Sequence, residues 1–266
     1  MPKYLYKYES FTAQTLLNVK QQILYFGSPS KFNDPYDCAI SPNIRRPTDA
    51  DVARWLEEYH ASREFTDEEI EARQRSTMDE VRQAMWTAAS ASYETGLSDF
   101  IKNRGIACFS EINDDLLMWS HYGGRYRGIC LEFDATMEPF SRARPVQYVE
   151  TFPELNMGQV LFGGASSAIE NLYWTKSVSW RYEREWRALH LVEGTKYIYP
   201  AEALTGVYFG PDIDFPSIEI VGLILQGQHE NVRLYRGKRS TKEFRVTFEQ
   251  FTYTSYLEAK RKGLSK

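Results

Sequence analysis

Two glutamates stand two residues apart in WRYEREWR (180–187), Glu183 and Glu185, with Arg184 between them and Arg181 and Arg187 outside. Side chains of a β-strand alternate with period two, so this spacing turns both carboxylates to one side and Arg184 and Trp186 to the other. Paired carboxylates raise each other's pKa and suit general-base work or hydrogen bonding to ribose hydroxyls. The same residues also read as a solvated face on which glutamates and arginines pair. A second cluster, MWSHYGGRYRG (118–128), gathers Trp119, His121, Tyr122, Arg125, Tyr126 and Arg127 around a Gly-Gly hinge. Glycines there permit positive φ or a close backbone approach. This loop suits an anionic or aromatic ligand, or else ends a helix on a structural Trp. In FNDPYD (32–37), Asn33, Asp34 and Pro35 have turn chemistry, and Asp34 with Asp37 is a weak magnesium-ligand pair. Alone, Lys7 between Tyr6 and Tyr8 reads as a surface residue with a packed stem, and Ser110 in CFSE as a hydrogen-bond partner at a strand end.

Strands and helices must position these residues. YLYKY (4–8), ILYFGS (23–28), GIACFSE (105–111), GICLEFD (128–134), PVQYVE (145–150), EWRALHLVE (185–193), KYIYP (196–200), GVYFGP (206–211), EIVGLIL (219–225), VRLYRGK (232–238) and FRVTFEQFTY (244–253) read as strands. Residues 11–22 read as a helix with Ser10 as N-cap, and 48–104 as two or three helices opening on Thr-Asp pairs. MGQVLFGGASSAIENLYWTKS reads as partly helical, and the basic tail YLEAKRKGLSK as frayed. Early strands, one helical block and a run of later strands predict an α+β fold with a mixed, largely antiparallel sheet. The expected organisation is a single domain over 1–266 with a helical insertion at 48–104 that serves as lid, partner-binding arm or core packing.

Composition narrows the classes. The chain has 266 residues, 42% hydrophobic and 15% aromatic, which is enough for a sizeable core. A formal net charge of −4 provides no global field to recruit nucleic acid, though a local basic patch is compatible with it. Cys38, Cys108 and Cys130 form no CxxC pair and read as free thiols of a cytoplasmic protein. Apolar runs such as VGLIL (221–225) fall far short of the ~20 residues a membrane span needs, and the N-terminus has no signal core. The sequence lacks a phosphate-binding P-loop, a GxGxxG turn, HExxH and GxSxG, and its four histidines show no metal-ligand spacing, so no metal is assigned.

Taken in order, YLYKYES, LYFGSPSKFNDPYDC, GIACFSE, LLMWSHYGGRYRGICLEFD, YEREWR and VYFGP resemble a bacterial domain family of unknown function, over about residues 3–211. The layout is also similar to the ADP-ribosyltransferase superfamily. Those enzymes have a first strand with His or Arg among aromatics, a middle strand ending in Ser or Tyr, and a late strand with a catalytic Glu, often as [Q/E]-x-E. This second resemblance implies a split sheet, with Lys7 at the first position, Ser110 at the second and Glu183-Arg184-Glu185 at the third. Lys7 departs from the usual His or Arg, and Glu111 follows Ser110 where the family has Thr-Ser. The implied substrate is NAD. Glu185 would stabilise the cation formed on the ribose, and Glu183 would activate the acceptor, a protein or a nucleic acid. Tyr122 or Tyr126 would stack on nicotinamide and Arg125 and Arg127 would hold the pyrophosphate, with Tyr6, Trp119, His121 and Arg187 completing the NAD contacts. A role as toxin or phage-defence effector is associated with families of this kind. Two other readings stand beside it. One is a metal-dependent nuclease using Asp34, Asp37, His121 and Glu185. The other is a non-enzymatic module docking a partner through the helices of 48–104.

Overall fold

The structure is a computed structural model that describes residues 1–38, 43–62, 64–156, 170–229 and 231–263. In chain order the elements are β1 (Tyr4–Glu9), α1 (Ala13–Gln21), β2 (Ile23–Tyr25), β3 (Asn43–Arg45), α2 (Asp49–Ser62), α3 (Asp67–Gln74), α4 (Met78–Asn103), β4 (Gly105–Ser110), α5 (Leu116–His121), β5 (Ile129–Asp134), β6 (Arg144–Pro145) and β7 (Gln147–Val149). They continue with β8 (Glu154–Asn156), β9 (Thr175–Ser177), β10 (Glu185–His190), β11 (Lys196–Ile198), β12 (Leu204–Phe209), α6 (Phe215–Gln226), β13 (Arg233–Arg239), β14 (Val246–Phe251) and α7 (Tyr256–Arg261). The fold is α+β. The chain separates into two compact units, one of Met1–Ser28, Arg104–Val146 and Val178–Lys266, the other of Pro29–Asn103 and Gln147–Ser177.

The first unit carries an eight-stranded sheet in the order β14-β13-β12-β5-β1-β4-β10-β6. Every neighbouring pair is antiparallel except β12 with β13. β4, β5 and β12 are covered on both faces, so they are buried nearly end to end rather than alternately. β5 is buried from Ile129 to Phe133. On one face Leu5, Phe109, Phe133, Val207 and Trp186 pack with Val19 of α1 and Val221 and Leu225 of α6. On the other, Tyr8, Cys130 and Tyr208 pack with Met118 and Trp119 of α5.

Three local expectations are corrected. EIVGLIL (219–225) is not a strand but lies within α6. Asp214 caps that helix, accepting from the Ser217 amide at 2.9 Å, and a proline sits in its first turn. Ile218, Val221, Gly222 and Leu225 are buried while Ile220 and Leu223 are exposed, the 3.6-residue period of a helix packed on one side. The cap of α1 is Thr12, whose hydroxyl accepts from the Thr15 amide, not Ser10. Part of the tail is ordered as α7, capped by Ser255. Of the segment expected to be partly helical, residues 157–169 lie outside the described residues.

In the second unit α2, α3 and α4 begin on reciprocal capping boxes, Thr48 with Asp51, Thr66 with Glu69 and Thr77 with Glu80. FNDPYD is a turn here. Asp34 accepts from the Tyr36 amide at 2.9 Å, and buried Asp37 pairs with buried Lys176 at 3.2 Å. Two short parallel pairs, β3 with β8 and β7 with β9, complete this unit.

Candidate functional site

β10, β4 and β1 are neighbours, and their pairing aligns three residues in one row. Ser110 faces Glu185 on one side and Tyr6 on the other. Directly paired residues share a face, so all three side chains project to the same side of the sheet. The row continues through Glu132 of β5, opposite Tyr6, to Gly206 of β12 and Arg233 of β13.

Each polar member is anchored. The Ser110 hydroxyl donates to the Glu183 carbonyl at 2.6 Å and accepts from the Ile112 amide at 3.2 Å. Glu185 takes a bidentate pair from Arg187, Nε to Oε1 at 2.7 Å and an Nη to Oε2 at 2.9 Å, and both side chains are buried. Cys108, opposite Arg187 on β4, lies on the same face as Glu185. Burial first, then the charge of Glu185, pushes the Cys108 pKa well above the usual thiol range. Glu183 lies in the 3-10 turn Val178–Glu183, not on the strand. Arg184 then takes φ 45° before β10 begins at Glu185. The period-two argument therefore does not apply across this pair, because only Glu185 has strand geometry. The Glu183 carboxylate is buried and accepts from the Tyr122 hydroxyl at 2.6 Å.

Lys7 pairs with Leu131 of β5 and so projects from the face opposite Tyr6, Ser110 and Glu185. Its ammonium is 3.3 Å from Glu9 and 6.0 Å from the centre of the Phe109 ring. Burial works against its charge, but Glu9, Cys108 and Glu185 outweigh that and raise its pKa. On β1, Tyr6 occupies the position facing Ser110.

The 118–128 cluster is locked around α5. Asp115 caps the helix by accepting from the amides of Leu117 and Met118. Buried Trp119 donates Nε1–H to the Asn113 carbonyl at 2.7 Å, and Tyr126 donates to the Leu116 carbonyl at 2.9 Å. Exposed His121 shares a 2.9 Å hydrogen bond between Nδ1 and the Tyr182 hydroxyl. Gly124, Arg125 and Tyr126 take φ of 58°, 54° and 69° in succession, a left-handed run that L-residues rarely sustain. Arg125 and Arg127 project into solvent. The structure thus brings Ser110, Glu183, Glu185, Arg187, Tyr122 and His121 together around the start of β10, and leaves Lys7 on the other face. Trp119 and Tyr126 are framework beneath the loop. Among the described residues no group of three or more His, Cys, Asp or Glu side chains is placed to hold a metal ion.

Sequence reasoning missed Glu132. This buried carboxylate accepts from Tyr208 at 2.6 Å, Thr205 at 2.7 Å and Arg233 at 2.6 Å, and lies opposite Tyr6 of β1. A Cβ at Gly206 would sit 3.2 Å from Glu132 Oε1, so glycine makes room for the carboxylate. The available signal was a lone charge inside the apolar strand GICLEFD, since a buried charge requires partners. Burial, then Glu132, raises the Tyr6 and Tyr208 phenols, and burial raises the Cys130 thiol.

These shifts fix a pH dependence. The fold favours the neutral thiols and phenols, whereas the unfolded chain ionises from the ordinary 9.0 of a thiol and 10.0 of a phenol upward. Their contribution is therefore fully present below the unfolded values and is lost as pH rises through the folded ones. Urea midpoints should fall between neutral pH and about pH 10. A flat or rising midpoint would contradict the assignment.

No family model, curated protein or solved structure matches the chain. Among the described residues no helix is long and apolar enough to cross a membrane.

Proposed function

We propose that the sheet-bearing unit binds NAD and breaks its nicotinamide–ribose bond, passing ADP-ribose to an acceptor or to water. The supporting observation is the register. The strands to which the ADP-ribosyltransferase resemblance assigns the three key positions are adjacent, and Ser110 stands in line with both Tyr6 and Glu185. In this reading the bonding pair leaves with nicotinamide and the ribose acquires oxocarbenium character. Glu185 stabilises that cation and accepts from a ribose hydroxyl. Arg187 binds both Glu185 oxygens and so fixes the orientation of the carboxylate. Glu183, held by Tyr122, takes the acceptor's proton. Tyr6 replaces Lys7 as the β1 residue facing the substrate. The exposed Arg125 and Arg127 meet the pyrophosphate, since guanidinium groups match phosphate geometry. The test is to incubate the protein with NAD at millimolar concentration and quantify free nicotinamide. Absence of both release and NAD binding by calorimetry rules the reading out.

One observation favours a second reading. Ser110, Glu183, Glu185 and Arg187 are all buried and bonded to one another or to Tyr122 and the backbone, as in a structural lock of a non-enzymatic binding module. A folded protein that neither binds nor cleaves NAD supports that reading.

A further inference from the structure

The chain is acidic overall, yet one part of the first unit concentrates cations without counter-charges. Arg187, Arg233, Arg239 and Arg245 each hold a carboxylate. Among the described residues no such ion pair forms at Arg125, Arg127, Arg181 or Arg184, and all four are exposed. They lie on two segments clamped together, the loop after α5 and the 3-10 turn before β10. The clamps are the His121–Tyr182 hydrogen bond at 2.9 Å and the Tyr122–Glu183 bond at 2.6 Å. The acids close by are already engaged. Glu183 is buried, Glu185 is paired with Arg187, Asp115 caps α5 and Glu111 accepts from Trp186. What reaches the surface is mainly positive, since the four arginines are exposed while Glu183 and Glu185 are buried. Arg125 and Arg184 also hold φ of 54° and 45°, conformations glycine adopts freely, so long cationic side chains stand where the backbone favours none. Flanking Arg181 in the chain, Trp180 and Tyr182 are half-buried, with ring centroids 6.0 Å apart and planes inclined at 37°.

We propose that this arginine and aromatic surface binds single-stranded nucleic acid, the arginines meeting phosphates and Trp180 and Tyr182 stacking on unpaired bases. Phosphate alone would call for the cations only. The interleaved rings select a polyanion whose flat groups are free to stack, which a duplex does not provide. An acidic protein segment matches the charge but not the rings. The proposal does not depend on NAD cleavage. If both hold, NAD and the strand compete for Arg125 and Arg127.

The experiment is fluorescence anisotropy of the full chain with labelled single-stranded RNA and single-stranded DNA of about 20 nucleotides. A duplex of equal length, inorganic polyphosphate and polyglutamate serve as competitors. Single strands should bind, with affinity falling as salt rises. R125A/R127A and R181A/R184A should each weaken binding about tenfold or more and reduce the salt slope by roughly one per arginine. W180A/Y182A should weaken the oligonucleotides but not polyphosphate. Arg184→Gly, which relieves the left-handed backbone, should lose affinity without loss of stability, separating recognition from folding. The RNA and DNA arms identify the strand. No binding at low salt, equal binding of the duplex, equal competition by polyglutamate, or wild-type affinity in the folded quadruple arginine variant would each overturn the proposal. Nicotinamide release is not read here, so failure of the NAD reading leaves this result interpretable.

Discussion

Glu185→Gln should reduce nicotinamide release at least ~100-fold, the scale of losing an electrostatic group that acts on charge developing in the transition state. Stability complicates this experiment. Glu185 and Arg187 form a bidentate pair with 5% and 0% of their side chains exposed, so neutralising the glutamate leaves a guanidinium without its counter-charge. Breaking such a pair costs ~3–5 kcal/mol. Glutamine keeps one oxygen that can accept from Arg187 Nε but sets an amide against the other donor, which places the loss toward the lower end of that range. A domain with ~5–15 kcal/mol of stability survives it. The expected outcome is a cooperative urea transition at a lower midpoint, with turnover lost in the fraction that is folded. Release within a few-fold of wild type in folded Glu185→Gln would remove this carboxylate from the chemistry. Turnover lost only in proportion to unfolded protein would assign it to structure alone.

The strands of the large sheet were legible because β4, β5 and β12 are short, largely apolar stretches that carry β-branched and aromatic residues. α6 was misread because IEIVGLIL is a short apolar run in which periods of 2 and 3.6 are hard to separate. The deciding residues were Asp214 and Pro216 upstream, an N-cap followed by proline in the first turn. The paired-carboxylate argument assumed that the strand extends through Glu183. Strand geometry begins only at Glu185, and nothing in the residue types YER announces the left-handed Arg184. Which strands lie side by side is a non-local property. Period and propensity do not predict that β4 inserts between β1 and β10, and only the family resemblance pointed to that neighbourhood. Lys7 shows the limit of such a transfer. A one-residue difference along β1 exchanges Lys7 for Tyr6 on the face that matters, because alternation is strict. Glu132 escaped notice because its partners Thr205, Tyr208 and Arg233 come from two other strands, more than 70 residues along the chain.

Arg187→Ala should be the most destabilising single change at this site, ~3–5 kcal/mol in urea denaturation. It removes both donors to Glu185 and leaves that carboxylate buried beside a Cys108 thiol whose own pKa burial has already raised. It also empties the volume of a side chain with 0% exposure, so a cavity adds to the electrostatic loss. Replacing both partners distinguishes the two readings of the site. With Glu185→Leu and Arg187→Met together, both charges of the pair are removed at once and the volume is largely kept, so stability should return toward wild type. If the pair is only a lock, that double variant keeps whatever binding the protein has. If Glu185 acts on NAD, the same variant is well folded and releases no nicotinamide. A double variant no more stable than Arg187→Ala would show that the pair's geometry, held between Ser110 and Cys108, matters beyond its charge.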